Sequence, residues 1–319
     1  MSSKSKYLWR TRVPGGAMGF HFFPGPNKNS FLYSDGWGNA FSALRLRKFD
    51  FETGEQLADI RTHTAVRAVQ YPSKGKILAA TDRRLFLLDS NLKELQRWDK
   101  RVPRYSSFVE SHHNVALLKC FSRETVYRYD LETGQAKRKN FSSGGSMFRG
   151  LKPREVIVTC ELTGEVFELD IDSWESTPLL HCEPFISPAI NYARKTIALS
   201  PGVAYIRTSN SYGRTPRGKL LREYSLRDGQ LVREKSFRRS FREVEYSADG
   251  TKIALKLTVD VSLTGIAILD SDSLEVIASH EFDGRAYMCL LDPDFNQLVF
   301  DKYDDSVRDS FELCSVRLD

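Results

Sequence analysis

Apolar and polar residues alternate in short runs along the whole chain, and the runs recur in a fixed order. VRAVQY, KILAAT and RLFLLD (residues 66–71, 76–81 and 84–89) form one set of three. REVEYS, KIALKL and GIAILD (242–247, 252–257 and 265–270) form another. Each run is about six residues long and bounded by turn residues, which predicts half-buried β-strands. No window sustains the longer period of an amphipathic helix.

Six segments place an apolar strand before Asp or Ser, then a tight turn, then a more polar strand. They are RKFDFETGEQL, LFLLDSNLKEL, VYRYDLETGQA, VFELDIDSWES, LREYSLRDGQL and AILDSDSLEVI, anchored at Asp50, Asp89, Asp130, Asp170, Ser225 and Asp270. CSVRLD repeats the pattern at Asp319. Asp and Asn bond their own backbone in such turns, and Gly in ETGE, ETGQ and RDGQ supplies a positive φ. The anchors lie 39, 41, 40, 55, 45 and 49 residues apart. That period, about 45 residues, belongs to four-stranded propeller blades.

The reading is therefore all-β: one domain over residues 1–319, a seven-bladed β-propeller of four-stranded antiparallel blades. The blades fall at approximately 15–61, 62–100, 101–141, 142–181, 182–236, 237–282 and 283–319. The last contains only three strands, and an open sheet edge would expose unpaired backbone groups. Residues 6–13, KYLWRTRV, are expected to supply the missing outer strand. WRTRVP (9–14) echoes WDKRVP (98–103), and both are read as outer strands leading into the next blade.

Two stretches resemble WD-repeat proteins. Residues 62–89 carry His63 at the position of that family's Gly-His pair, Asp82 in the turn after the second strand, and Asp89 closing the third. Residues 241–256, FREVEYSADGTKIALK, resemble its first hairpin. Leu88 stands where the family usually has Trp, and Thr62 replaces the Gly before His63, so the buried polar network of typical blades is at most partial. The resemblance implies a structural His63, bonded within its loop. Quinoprotein-like and lactonase-like propellers are similar in period, without their sites.

Composition narrows the class. The 319 residues are 41% hydrophobic, enough to bury a large core, and no stretch has the length of a membrane span or the form of a secretory signal. The five cysteines (Cys120, Cys160, Cys182, Cys289 and Cys314) lack CxxC spacing and read as reduced thiols rather than disulfides or a zinc site. A cytoplasmic location is expected. The net charge of +6 permits an acidic partner without establishing one.

In a propeller, loops between blades and between second and third strands share one face, conventionally the top. Arg83, Arg84, Arg101, Arg104, Tyr105, Tyr212, Arg214, Arg217, Arg238 and Arg239 fall in those loops and are the candidate partner-binding residues. Arginine favours planar, bidentate recognition of carboxylates, and arginine beside aromatic residues is typical of interface hot spots. The longest loops, 207–219 and 302–310, interrupt the fifth and seventh blades. Phe237 and Phe241 are expected as wedges between blades. On the innermost strands Arg67, Arg149 and Glu243 are the main candidates for a small-ligand or catalytic channel.

The chain contains no GxSxG, GxxxxGK[ST], HExxH or GxGxxG motif, and SSGGS (142–146) lacks the lysine of a phosphate loop. The His112–His113 pair reads as a hairpin turn. No catalytic residue, metal ligand or cofactor is assigned. The expected function is a non-catalytic scaffold that binds a partner protein with an acidic or carboxylate-bearing segment through the basic, aromatic-containing top face. A propeller enzyme or small-ligand binder using the channel is the alternative. Nucleic-acid binding ranks lower, since no RNA-binding motif or strongly basic tract is present, and no membrane partner is expected.

Overall fold

The computed structural model describes residues 7–14, 21–35, 44–81, 84–99, 108–120, 123–202, 218–259, 262–303 and 310–318. Every helix or strand among the described residues is a strand, and no described helix is long and apolar enough to cross a membrane. Strand β1 (Trp9–Pro14) precedes the first consecutive sheet, β2 (His21–Pro24), β3 (Ser30–Ser34), β4 (Arg45–Asp50) and β5 (Gln56–Arg61). The second holds β6 (Val66–Gln70), β7 (Lys76–Thr81), β8 (Leu85–Asp89) and β9 (Glu94–Trp98). The third holds β10 (Phe108–His112), β11 (Val115–Lys119), β12 (Thr125–Asp130) and β13 (Ala136–Asn140). The fourth holds β14 (Met147–Arg149), β15 (Glu155–Cys160), β16 (Glu165–Asp170) and β17 (Ser176–His181).

A seven-stranded sheet follows, comprising β18 (Phe185–Asn191), β19 (Thr196–Pro201), β20 (Gly218–Ser225), β21 (Leu231–Tyr246), β22 (Lys252–Thr258), β23 (Leu263–Asp270) and β24 (Val276–Ala286). Two repeats are fused here by the 16-residue β21. Its first half pairs with β20 and its second half with β22, with a register shift between Phe241 and Glu243. The turn expected between the fifth and sixth repeats is absent, so Arg238 and Arg239, read as loop residues, lie within β21.

The last sheet takes β25 (Cys289–Leu291), β26 (Gln297–Tyr303) and β27 (Ser310–Arg317), with β1 on its edge. Trp9 stands opposite Ser315 and Pro14 opposite Ser310, antiparallel, and the Leu8 N–H extends the pairing to the Ser315 carbonyl at 2.8 Å. The N-terminal segment thus completes the final sheet, a few residues later than 6–13. The echo with residues 98–103 does not hold at this level. Trp9 begins its strand, whereas Trp98 ends β9, and residues 100–103 lie outside the described residues.

The turn anchors behave as local chemistry dictates. The Asp50 carboxylate accepts the N–H groups of Glu52 (3.0 Å) and Thr53 (2.8 Å). Asp130 accepts those of Glu132 and Thr133, Asp170 those of Asp172 and Ser173, and Asp270 those of Asp272 and Ser273. Ser225 does the same for Arg227 at 3.2 Å. Hydrogen bonds led by the Thr133 N–H hold the Asp130 carboxyl below its ordinary pKa, and those led by Ser173 and Ser273 do so for Asp170 and Asp270. Asp319 lies outside the described residues. His113 and Asn114 form the expected hairpin turn.

The chain forms two compact units, Met1–His113 with Phe282–Asp319, and Asn114–Glu281. In the first, Phe22, Phe31, Tyr33 and Phe49 of the first sheet pack with Val13 of β1 and Leu290, Val299 and Leu313 of the last. A second cluster joins Leu32 and Leu46 to Val66, Ile77, Phe86 and Leu88. In the second unit, Ile157 and Val166 of the fourth sheet pack on Phe185, Ile190 and Ile197. Phe241, Val244 and Leu255 pack with Ala198 and Leu221. Each buried Leu, Ile, Val or Phe contributes roughly 1.5–3 kcal/mol, so the packed sheet faces carry the fold.

Candidate partner-binding site

Of the ten candidate face residues, Arg84, Arg238 and Arg239 are described. Arg83, Arg101, Arg104, Tyr105, Tyr212, Arg214 and Arg217 lie outside the described residues, as does Asp82. Arg84 sits at a tight turn where its N–H donates to the Thr81 hydroxyl at 2.9 Å. Its Nε lies 2.9 Å from Asp99, which neutralises it. Arg238 and Arg239 are exposed on β21. Arg239 pairs with Glu281 at 2.6 Å and donates to Thr264 at 3.1 Å. Arg238 has no ion-pair partner among the described residues. Beside them Phe237 meets Phe241 edge to face, with centroids 6.0 Å apart. Phe241 is fully buried, so it is core, while Phe237 is half-buried.

The inner-strand candidates occupy different surroundings. In the first unit, Arg67 Nη1 lies 3.2 Å from His21 Nε2, and Gln70 donates to Glu110 at 2.8 Å. In the second unit, Arg149 is exposed on β14. Glu243 lies 2.8 Å from Lys256 and 3.2 Å from Arg242. Burial opposes ionisation of Glu243, but Lys256 and Arg242 outweigh it and hold the carboxyl at about 2. A carboxylate so held is a permanent anion, suited to holding Lys256 in place and unsuited to proton transfer near neutrality. No described hydrogen bond or ion pair joins Arg149 to Glu243.

His63 departs from the structural role implied by the family resemblance. It is exposed, with φ of +61°, and the buried Thr62 bonds the loop instead, its hydroxyl donating to the Thr64 carbonyl at 2.8 Å.

Two buried polar groups were not singled out from sequence. Glu161, 2% exposed, accepts the Ser146 hydroxyl at 2.8 Å, and burial pushes its carboxyl up to about 7 despite the nearby Lys119. Glu223 is held by Arg233 and Thr196, both at 2.5 Å, and Tyr246 at 3.0 Å. It floors a shallow groove of about 390 Å³ that also takes in Arg194, Arg227 and Val232. The signal available for both was a charged residue at or near the inner end of an apolar strand. Among the described residues no group of three or more His, Cys, Asp or Glu could hold a metal ion.

The strand order, four-stranded repeats and terminal pairing define the β-propeller fold of WD40 domains. The chain is similar to the β-propeller domain of Cps50 (Swd1) from Myceliophteria thermophila, with a TM-score of 0.69, 12% identity, and coverage of 98% of this chain and 99% of that one. It is also similar to the Pan2 WD40 domain of Neurospora crassa, again with a TM-score of 0.69, at 10% identity and 99% and 97% coverage. No protein-family model and no curated protein sequence matches the chain.

Proposed function

We propose that the protein is a non-catalytic interaction scaffold, a single seven-bladed domain with the blade boundaries given above, working in the cytoplasm. Its partner is a protein with an acidic or carboxylate-bearing segment, received on the basic, aromatic-containing top face around Arg238 and Arg239. The observation that carries this reading is Arg238, exposed on β21 without an ion-pair partner among the described residues. An exposed guanidinium not committed to an internal carboxylate can meet a partner's carboxylate in bidentate fashion, and arginine is enriched at interface hot spots.

An array of acidic peptides probed with the wild-type chain and with Arg238→Glu/Arg239→Glu and Arg101→Glu/Arg104→Glu variants tests it. The expected result is a set of bound peptides lost in the charge-reversed variants and retained in an Arg84→Gln control, because Arg84 is already neutralised by Asp99. Identical peptide profiles across all the variants would remove the top-face proposal.

A further inference from the structure

The outer hairpin of the third sheet differs electrostatically from the others. In the other sheets, cations near the surface find carboxylate partners. Arg45 pairs with Asp59 in the first sheet, and Arg97 lies 3.2 Å from Asp99 in the second. Lys152 lies 3.6 Å from Glu168 in the fourth. Arg222 is 2.9 Å from Glu234 in the seven-stranded sheet, and Arg10 pairs with Glu312 in the last.

On β12 and β13, by contrast, Arg128, Lys137, Arg138 and Lys139 have no carboxylate within ion-pair distance among the described residues. Arg128 and Lys137 stand directly opposite each other in the register, and Lys139 stands opposite Val126. Arg128, Lys137 and Lys139 therefore share one face, and Arg138 projects on the other. Like charges facing across a ladder are destabilising. The Arg128 Nε is buried without a hydrogen-bond partner among the described residues, and Lys139 donates its ammonium to the Trp174 carbonyl at 2.9 Å. The acids of the hairpin sit at its turn, where Asp130 is committed to the N–H groups of Glu132 and Thr133.

We propose that this hairpin is a second docking surface, separate from the top face, for an extended acidic segment of a partner protein. Strand β13 is an edge of its sheet, so an extended chain can lie alongside it in strand register, with its alternate side chains meeting Lys137 and Lys139. Lysines on an edge also discourage pairing with uncharged or basic strands, and the same charges select an acidic one. A peptide is favoured over single-stranded nucleic acid because Tyr129 is 1% exposed and Tyr127 only half-exposed, which leaves no open aromatic platform for bases.

The test uses the full chain and three fluorescent probes: an octapeptide alternating Glu and Val, its Gln-Val counterpart, and an oligouridine. The Glu-Val peptide is expected to bind and the Gln-Val peptide not. Lys137→Glu and Lys139→Glu are each expected to weaken binding roughly tenfold or more, while Arg97→Gln, on the outer strand of the second sheet, leaves it unchanged. Lys137→Glu is also expected to raise the melting temperature, because it places a carboxylate opposite Arg128, so the lost binding is not lost folding. Absence of Glu-Val binding, or unchanged affinity in both lysine variants, overturns the proposal. So does tighter binding of oligouridine that is lost in the same variants.

Discussion

Asp301 is fully buried on β26 and accepts the N–H groups of Tyr287 (2.9 Å) and Met288 (2.6 Å). A carboxylate that satisfies two backbone donors leaves both unpaired when truncated, so Asp301→Ala is expected to cost about 3 kcal/mol in denaturant unfolding. Glu161 offers a pH-dependent counterpart. Its carboxyl has an ordinary value of 4.5, whereas burial pushes it up to about 7 in the fold. Between those values the folded chain holds a proton that the unfolded chain lacks. Stability therefore falls as pH rises from 4.5 to 7, by roughly 1–3 kcal/mol. Melting curves across this range should show a steeper decline for the wild type than for Glu161→Gln, and parallel curves would contradict the assignment.

At the scale of the element, β1 is fastened to more than its neighbour in the ladder. Trp9 Nε1 donates to the Phe51 carbonyl at 2.9 Å, and the Thr11 hydroxyl donates to the Gly54 carbonyl at 3.0 Å, so the strand also grips the turn of the first sheet. Gly54 has φ of +71°, and a Cβ there would lie 2.5 Å from the Trp9 ring. Gly54→Ala is expected to destabilise by roughly 1–3 kcal/mol. In a Trp9→Ala background only the backbone part of that cost should remain, so a double-mutant cycle by chemical unfolding should show coupling, and strict additivity would rule out the contact.

The turns and strands were legible because their causes are local: Asp or Ser at the anchor, Gly where φ is positive, alternation where one face is buried. The need for a closing strand was legible from the strand count of the last repeat. What escaped depends on distant residues. Nothing in THT indicates that Thr62 turns inward and His63 outward, and nothing in SFRRSF indicates that β21 runs unbroken. Nor does alternation mark as buried the polar row at or near the ends of second strands, Ser34, Thr81, Lys119, Thr159, Ser200 and Thr258, every member of which is buried. The pairing of Arg84 with Asp99 and of Arg239 with Glu281 decides which arginines are free to bind, and neither follows from spacing alone.

For the molecule as a whole, the two ends of the chain meet in one sheet. Tyr7 donates to Asp283 at 2.6 Å, Lys302 lies 2.8 Å from the same carboxylate, and Arg10 pairs with Glu312. Val13 enters the core formed by Phe22, Phe31 and Leu313. The Tyr7 hydroxyl is pushed up to about 12, chiefly by burial, so it remains a donor at physiological pH. The exposed ion pairs add little individually, and the ladder and the burial of Trp9 and Val13 contribute most.

Removal of residues 1–14 tests this closure most directly. The account predicts a fall in melting temperature on the order of 10 °C, recovered in part when a synthetic peptide of residues 5–16 is added. A truncated chain that melts like the wild type, with or without the peptide, would contradict it.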